Sequence, residues 1–285
     1  MYHYIIDQSR LPAKNIDRFL GQAYELITQY QISGEVHRVT KLRNIPELVE
    51  QAILSHAKTI IAIGDDQSFL QLVQILAENE SMVIGYIPLI SDSEISNILG
   101  LGNLSDACKA IAQRRVEEFD LGLVGRTHFF SKIEFGYLPQ LRKSGERLGF
   151  FGKTNLVNTL SRLTPLPVNI LVDRNYKVTA QILAGKVVNT QPGDKDSHLI
   201  KSSDDKLDLV LLSKINALSR YKNLLAEDLL EEIPGATVLH AKEFQIESPG
   251  NLGLIINSIP VTKNAVTVSV SPYKIKTIVG KGRKS

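Results

Sequence analysis

The sequence predicts an α/β fold, a doubly wound parallel-sheet domain, followed by an all-β antiparallel sandwich domain. Three observations lead there. The run Thr59-Ile60-Ile61-Ala62-Ile63-Gly64 is continuously apolar and rich in isoleucine, as suits a parallel strand covered on both faces. Phe69, Val73, Leu76 and Ala77 then recur at helical spacing, so the strand passes through one short turn into an amphipathic helix. From about Gly125 the pattern changes to short strands at close spacing, which suits antiparallel sheets.

The elements follow in order. Tyr4-Ile5-Ile6 is a short strand, and Ile16, Phe19, Leu20, Ala23, Leu26, Ile27 and Tyr30 mark a periodic helix after it. Glu35 to Val39 is a second strand. Asn44 is placed to cap the next helix, with Pro46 in the first turn, where a missing N–H costs nothing. After the strand and helix around Gly64, Met82 to Ile87 is another buried strand. Ser91 and Glu94 fit a capping box for a helix through Leu99. Alternating strands and helices imply a parallel sheet with right-handed crossovers.

In the second part, strands are expected over 168–173, 177–183, 185–189, 207–212, 237–247, 252–257, 265–270 and 274–279. Asn175 and Gly185 are expected in hairpin turns, and 213–232 reads as helical. The division expected is residues 1–124 and 125–270, with about 271–285 a candidate to return to the first domain.

Composition narrows the function classes. The chain has 285 residues, 43% apolar and 22% charged, a globular profile. No apolar run approaches the ~20 residues of a membrane span. Met1 to Asp7 lacks a basic stretch followed by a long apolar one, so no signal peptide is expected and a cytoplasmic location is the default. A net charge of +3 is too small to argue for nucleic acid. Much of the excess lies in Lys274, Lys276, Lys281, Arg283 and Lys284, read as a solvated tail. Cys108, the single cysteine, excludes an intrachain disulfide and a thiolate-rich metal site. It falls on the apolar face of a helix with Ala107 and Ile111. His3, His37, His56, His128, His198 and His240 are scattered, with no pair at metal-ligand spacing, and read as structural or surface residues.

The turn at Gly64-Asp65-Asp66-Gln67-Ser68 carries only small or polar residues. Ligands of open α/β sheets bind at such turns, beyond the carboxyl ends of the strands. Asp66 fits either a ligand contact or a simple helix cap, and Ser68 either a phosphate contact or a cap.

Further segments repeat the order of a known architecture. They are Pro88-Leu89-Ile90-Ser91-Asp92-Ser93-Glu94-Ile95-Ser96-Asn97, Asp120-Leu121-Gly122 before Phe129-Phe130, Asp204-Asp205-Lys206-Leu207-Asp208-Leu209-Val210, and Pro234 to Lys242. With the Gly64 turn, they resemble the diacylglycerol kinase catalytic-domain family, soluble lipid kinases related to NAD kinases. The family's G-G-D-G-T lines up with Gly64 to Ser68, keeping the first glycine, the acid and the hydroxyl. Its P-L-G-T-G-N-D-F-A-R lines up with Pro88 to Asn97, keeping Pro88, Leu89, the hydroxyl at Ser91 and the acid at Glu94. Asp7-Gln8-Ser9-Arg10 stands where the family has Asn-Pro and a glycine-containing loop.

The resemblance implies a nucleotide-binding first domain, with ATP and Mg²⁺ held between the domains by Thr40, Gly64, Asp66, Ser68, Ser91 and Glu94. Lys41 and Arg43, beside Thr40, are either phosphate contacts or solvated loop residues. The resemblance also implies transfer of a phosphoryl group to a hydroxyl of a lipid, such as diacylglycerol, at a membrane surface. Asp204, Asp205 and Asp208 match the place of a structural Mg²⁺, and an acidic turn there is equally ordinary punctuation. Arg142, Lys143, Arg147, Lys153 and Arg162 read as a solvated loop and helix or a membrane-facing cluster. A homodimer is a candidate assembly.

The family's D-G-E-P-like acidic turn lines up with Asn257-Ser258-Ile259-Pro260. Asn257 and Ile259 stand where the acids belong, and neither accepts a proton near neutral pH. Two functions are therefore carried forward. One is a divergent ATP-dependent lipid kinase, slow if active. The other is a catalytically inactive protein that senses a nucleotide or binds a partner. An NAD kinase proper is disfavoured, since its N-E/D motif is not found.

Overall fold

A computed structural model describes residues 2–8, 13–139, 164–190, 205–213, 230–233 and 235–283. The elements are β1 (Tyr2–Ile6), α1 (Ala13–Gln29), β2 (Gly34–Arg38), α2 (Ile45–Leu54), β3 (Thr59–Gly64), α3 (Asp66–Leu76), β4 (Val83–Pro88), α4 (Glu94–Ile98), α5 (Leu104–Gln113), β5 (Val116–Val124), β6 (Thr127–Phe129), β7 (Lys132–Gly136), β8 (Leu166–Val172), β9 (Tyr176–Ile182), β10 (Ala184–Val188), β11 (Leu207–Leu212), a 3-10 turn (Leu230–Glu232), β12 (Ala236–Ala241), β13 (Glu243–Ile256) and β14 (Ile259–Ile278). The chain divides into two compact units. One comprises Met1–Leu121, Thr190–His198 and Ser271–Ser285, the other Gly122–Asn189 and Leu199–Val270.

The first unit is the α/β one. Its strands run in the order β2-β1-β3-β4, all parallel, and the end of β14 pairs parallel to β4 through Lys276 and Thr277. All six residues of β3 are buried, because strands lie on both sides of it and helices cover the sheet. Burying an isoleucine such as Ile60 or Ile61 contributes roughly 1.5–3 kcal/mol relative to leaving it exposed. Since β1 is followed by a crossover to β2 on one side, and β3 lies on its other side, the strand order reverses at β1. The carboxyl ends of β1 and β3 therefore frame the position where such sheets take ligands.

The second unit is antiparallel throughout its described ladders, in the order β12-β11-β10-β7-β13-β14, with β8 and β9 added through β13. Phe135, Phe129, Phe244, Ile246, Leu254 and Val268 are among the side chains that fill its core.

Several expected elements differ. β5, β6 and β7 were not expected, since their polar positions break a simple period: Lys132 and Glu134 alternate with Ile133 and Phe135 over only five residues. The stretch 237–247 is two strands separated at Lys242, and the segment from 252 belongs to β13, whose register with β14 shifts between Glu247 and Leu252. The stretches 265–270 and 274–279 belong to the single long β14. Pro272 lies between the residues paired with β13, ending at Ser269, and those paired with β4, beginning at Lys276. A strand tolerates a missing N–H at such a change of partner.

Asn175 does lie in the β8–β9 turn, its N–H donating to the Val172 carbonyl at 3.0 Å, with the positive φ angles at Asp173 (46°) and Arg174 (60°). Gly185 sits inside β10 instead of in a turn. A Cβ there would stand 2.2 Å from the Phe135 ring opposite, so glycine serves to admit that ring. Residues 214–229 of the expected helix, and the basic cluster from Arg142 to Arg162, lie outside the described residues; Leu230–Glu232 is a 3-10 turn.

Three of the basic tail residues, Lys274, Lys276 and Arg283, are paired, while Lys281 is exposed and Lys284 lies outside the described residues. Lys274 reaches Asp120 at 2.8 Å, and Lys276 reaches Glu118 at 3.5 Å. The Arg283 guanidinium lies 4.1 Å from the centre of the Phe119 ring. These cations are drawn in because β14 lies beside the acidic strand β5.

Candidate functional site

The parallel register Ile6↔Ile63 fixes the candidate site, because it brings Asp7, the residue after β1, beside Gly64 at the end of β3. The Asp7 N–H donates to the Ile63 carbonyl at 2.9 Å, and Asp7 is buried. The chain then turns directly into α3. Asp65 is the N-cap, in extended conformation, and its side chain accepts the Ser68 N–H at 3.0 Å. Capping thus falls to Asp65, and Asp66 is the first helical residue. The Ser68 hydroxyl bridges Asp65 Oδ1 at 3.1 Å and Asp7 Oδ2 at 3.2 Å.

Gly64 is needed for a local reason. A Cβ on it would stand 2.2 Å from Ser68 Oγ and 2.6 Å from Ser68 Cβ. The absent side chain makes a cradle, and Ser68 fills it.

Asp66 points away from this bridge, into a second network. Oδ1 accepts the Tyr86 hydroxyl at 2.9 Å and the Ser93 hydroxyl at 2.6 Å, and Oδ2 accepts the Ile95 N–H at 3.2 Å. One carboxylate therefore ties the start of α3 to β4 and to the first turn of α4. Burial raises the Asp66 pKa above the usual carboxylate range, opposed by the Ser93, Ile95 and Tyr86 hydrogen bonds. The Tyr86 phenol is pushed upward by burial and then by the neighbouring Asp66 charge.

The helix after β4 is capped by Ser93 and Ser96, which form a reciprocal box, and not by Ser91 and Glu94. Ser91 is exposed and supplies its carbonyl to Ser96 Oγ at 3.0 Å, while Glu94 is the first residue of α4. Thr40 is exposed, bridged to Arg43 through backbone, with its hydroxyl accepting the Leu42 N–H at 3.3 Å. It follows β2, two strands from Gly64. The candidate set thus separates: Gly64 and Ser68 meet at one network, Asp66 anchors another, and Ser91 and Thr40 stand on loops outside both. Asp7, Tyr86 and Ser93 complete the networks. Asp7 could have been found by sliding the two apolar runs into parallel register; nothing local marks the other two.

In the second unit, Asn257 and Ser258 form the β13–β14 hairpin turn, with φ of 48° and 61° and the pair Ile256↔Ile259 closing it. Positive φ at both central positions is the type I′ pattern, which asparagine tolerates well. Asn257 Nδ2 donates to the His128 carbonyl at 2.8 Å, and Ile259 is exposed. The turn carries an amide, a hydroxyl and an aliphatic chain.

Of the acidic loop, Asp204 lies outside the described residues and Asp205 is exposed with φ 55°. Asp208, on β11, is buried, and its carboxylate bonds His240 Nδ1 on β12. Cys108 is buried in α5, and burial pushes its thiol up to about 11, so it is an apolar core residue rather than a nucleophile.

Residues 10–124 match the diacylglycerol kinase catalytic domain. Over these residues the chain resembles the diacylglycerol kinase catalytic-domain family. The matched stretch includes the Gly64 turn and all of the Asp66 network. Solved structures extend the likeness to the whole fold. A protein classed as a diacylglycerol kinase from Bacillus anthracis str. Sterne superposes with a TM-score of 0.76 at 15% identity, covering 99% of this chain and 97% of that one. A diacylglycerol kinase structure from the same organism gives 0.73 at 16% identity, covering 99% and 98%. An NAD kinase from Archaeoglobus fulgidus in complex with ATP gives 0.55 at 11% identity, covering 99% and 94%. No match is found among the curated proteins. The two-part fold expected from the sequence, of the lipid kinase and NAD kinase type, is thereby established.

Proposed function

We propose that this chain is a catalytically silent relative of the lipid kinases, which uses the fold to bind a nucleotide or a partner rather than to transfer phosphoryl groups. The observation that carries this reading is the self-satisfied Gly64 turn. A helix N-terminus attracts phosphate through free N–H groups and a positive dipole end. Here the Ser68 N–H is already taken by the Asp65 carboxylate at 3.0 Å, and a hydroxyl fills the cradle above Gly64. The carboxylates of Asp7 and Asp65 flank the same point, so a triphosphate would meet negative charge first.

Bound ATP would need Mg²⁺ to neutralise that charge, and Asp7 and Asp65 are the residues in reach of such an ion. The ion would supply charge neutralisation for the phosphates. Asp66 does not fit this role, since its three hydrogen bonds hold α3, β4 and α4 together.

The hairpin at Asn257-Ser258-Ile259 supports the same reading. A general base contributes about 10²–10⁴ in rate, and an amide and an aliphatic chain supply none of it. The second reading, a slow lipid kinase acting on diacylglycerol at a membrane surface, draws on the family match over residues 10–124. It requires a carboxylate from another segment to take the acceptor's proton.

The deciding experiment incubates the full chain with Mg-ATP and vesicles containing diacylglycerol and follows lipid phosphorylation. No product above the protein-free control is expected, whereas turnover at an ordinary kinase rate refutes the proposal. Thermal shift with Mg-ATP then separates the binding roles. A ligand at 100 times its Kd stabilises by roughly 2.7 kcal/mol, so a shift indicates nucleotide sensing and no shift indicates partner binding.

A further inference from the structure

Outside the Gly64 turn, β1 and β2 bring together three side chains that no role above uses. His3 and Glu35 are register partners, and Ile5 is opposite His37, so His3, Glu35 and His37 share one face of the sheet. His3 Nδ1 and His37 Nε2 are 3.4 Å apart. Glu35 Oε2 is 3.6 Å from each of them. Among the described residues this is the single group of three such ligands whose donor atoms cluster.

We propose that His3, Glu35 and His37 form a binding site for a divalent transition-metal ion of the zinc class. Zinc binds imidazole nitrogen and carboxylate oxygen at about 2.0–2.2 Å. Tetrahedral placement at that length separates the ligand atoms by about 3.3–3.6 Å, as observed here. Two imidazoles and one carboxylate also match a zinc site with three protein ligands and a fourth position for water.

Access suits an exchangeable ion. The His3 side chain is fully buried, His37 is 11% exposed and Glu35 is 43% exposed, so the ion would approach from the Glu35 side. The two rings lie nearly parallel, 7° apart with centroids separated by 5.7 Å. Seating the ion therefore needs the His37 ring to turn about χ2, a broad, soft torsion. His3 Nε2 has no hydrogen-bond partner, so no outer-shell acceptor orients that ring. The predicted affinity is accordingly below that of a fully supported zinc site.

The site is separate from the phosphate turn. His3 precedes Asp7 by four residues, roughly 13 Å along an extended strand. An ion here would clip β1 to β2 and stabilise the parallel pair, whatever the turn binds.

Zinc chloride titrated calorimetrically into the untagged full chain tests this, with Glu35→Gln and His37→Gln as variants. One ion per chain is expected, together with a raised melting midpoint relative to EDTA-treated protein. Cobalt in place of zinc should give the visible absorption of a four-coordinate ion. Each variant removes a direct ligand and should weaken binding beyond the about 10–100-fold that loss of an outer-shell partner costs. Glu35 is exposed enough that Glu35→Gln should retain the melting midpoint of EDTA-treated wild type, which keeps the test independent of folding. Binding below one ion per chain, or binding unchanged in both variants, overturns the proposal.

Discussion

The Ser68 hydroxyl stands 2.2 Å from the point a Cβ on Gly64 would occupy, and it is held there by Asp7 and Asp65. The cradle that a βα turn offers to a phosphate is thus filled by the protein's own side chain.

Gly64→Ala is the direct test of that packing. Rotating the hydroxyl does not relieve the clash, because Ser68 Cβ is also only 2.6 Å from the new atom. Overpacking at such a point costs about 1–3 kcal/mol. Urea denaturation should register a loss in that range, and an unchanged midpoint would mean the turn is looser than its geometry implies.

Asp66 predicts a pH dependence. Its folded pKa is raised by burial above the ordinary value of 3.8, so the folded chain holds this proton more tightly than the unfolded chain does. The resulting stabilisation is full below the unfolded pKa and is lost as pH rises through the folded one. Asp66→Asn should remove that component and flatten stability against pH from about 3.8 upward. It should also cost about 1–3 kcal/mol at neutral pH, since an amide offers one acceptor oxygen in place of two. Denaturation midpoints across the acid range check both statements.

Tyr86→Phe should cost about 0.5–1.5 kcal/mol by removing one of the three donors to Asp66. In an Asp66→Asn background the same change should cost less. A double-mutant cycle measures this coupling, and strict additivity would show that the two groups do not act together.

Gly185→Ala should destabilise the second unit by about 1–3 kcal/mol, because its Cβ would meet the Phe135 ring at 2.2 Å. Phe135→Leu in the same chain should recover part of the loss. Equilibrium unfolding of the single and double variants gives the comparison, and absence of any rescue would point to backbone strain in β10 instead of the ring.

The capping residues show how finely sequence can be read. Asn44 caps α2 in a reciprocal box with Glu47, with Pro46 in the first turn, because these preferences act within four residues. The same local logic allows either Asp65 or Asp66 to cap α3, and either Ser91 or Ser93 to cap α4. What selects Asp65 and Ser93 is the Asp66 carboxylate, which is drawn to Tyr86 and Ile95 from twenty to thirty residues away. Likewise, β5 carries a buried acid at a position that its neighbour in the sheet makes tolerable, since Asp120 meets Lys274 of β14 at 2.8 Å.

By itself the chain determined its buried parallel strands, its change to antiparallel sheet and the amide, hydroxyl and aliphatic character of Asn257-Ser258-Ile259, because hydrophobic period and residue chemistry are properties of neighbours in sequence. Only the tertiary structure decided that Asp7 joins Ser68 at the Gly64 turn and that His3 meets His37. Both depend on the register between strands, which is fixed by packing across the whole sheet and leaves no mark within any single segment.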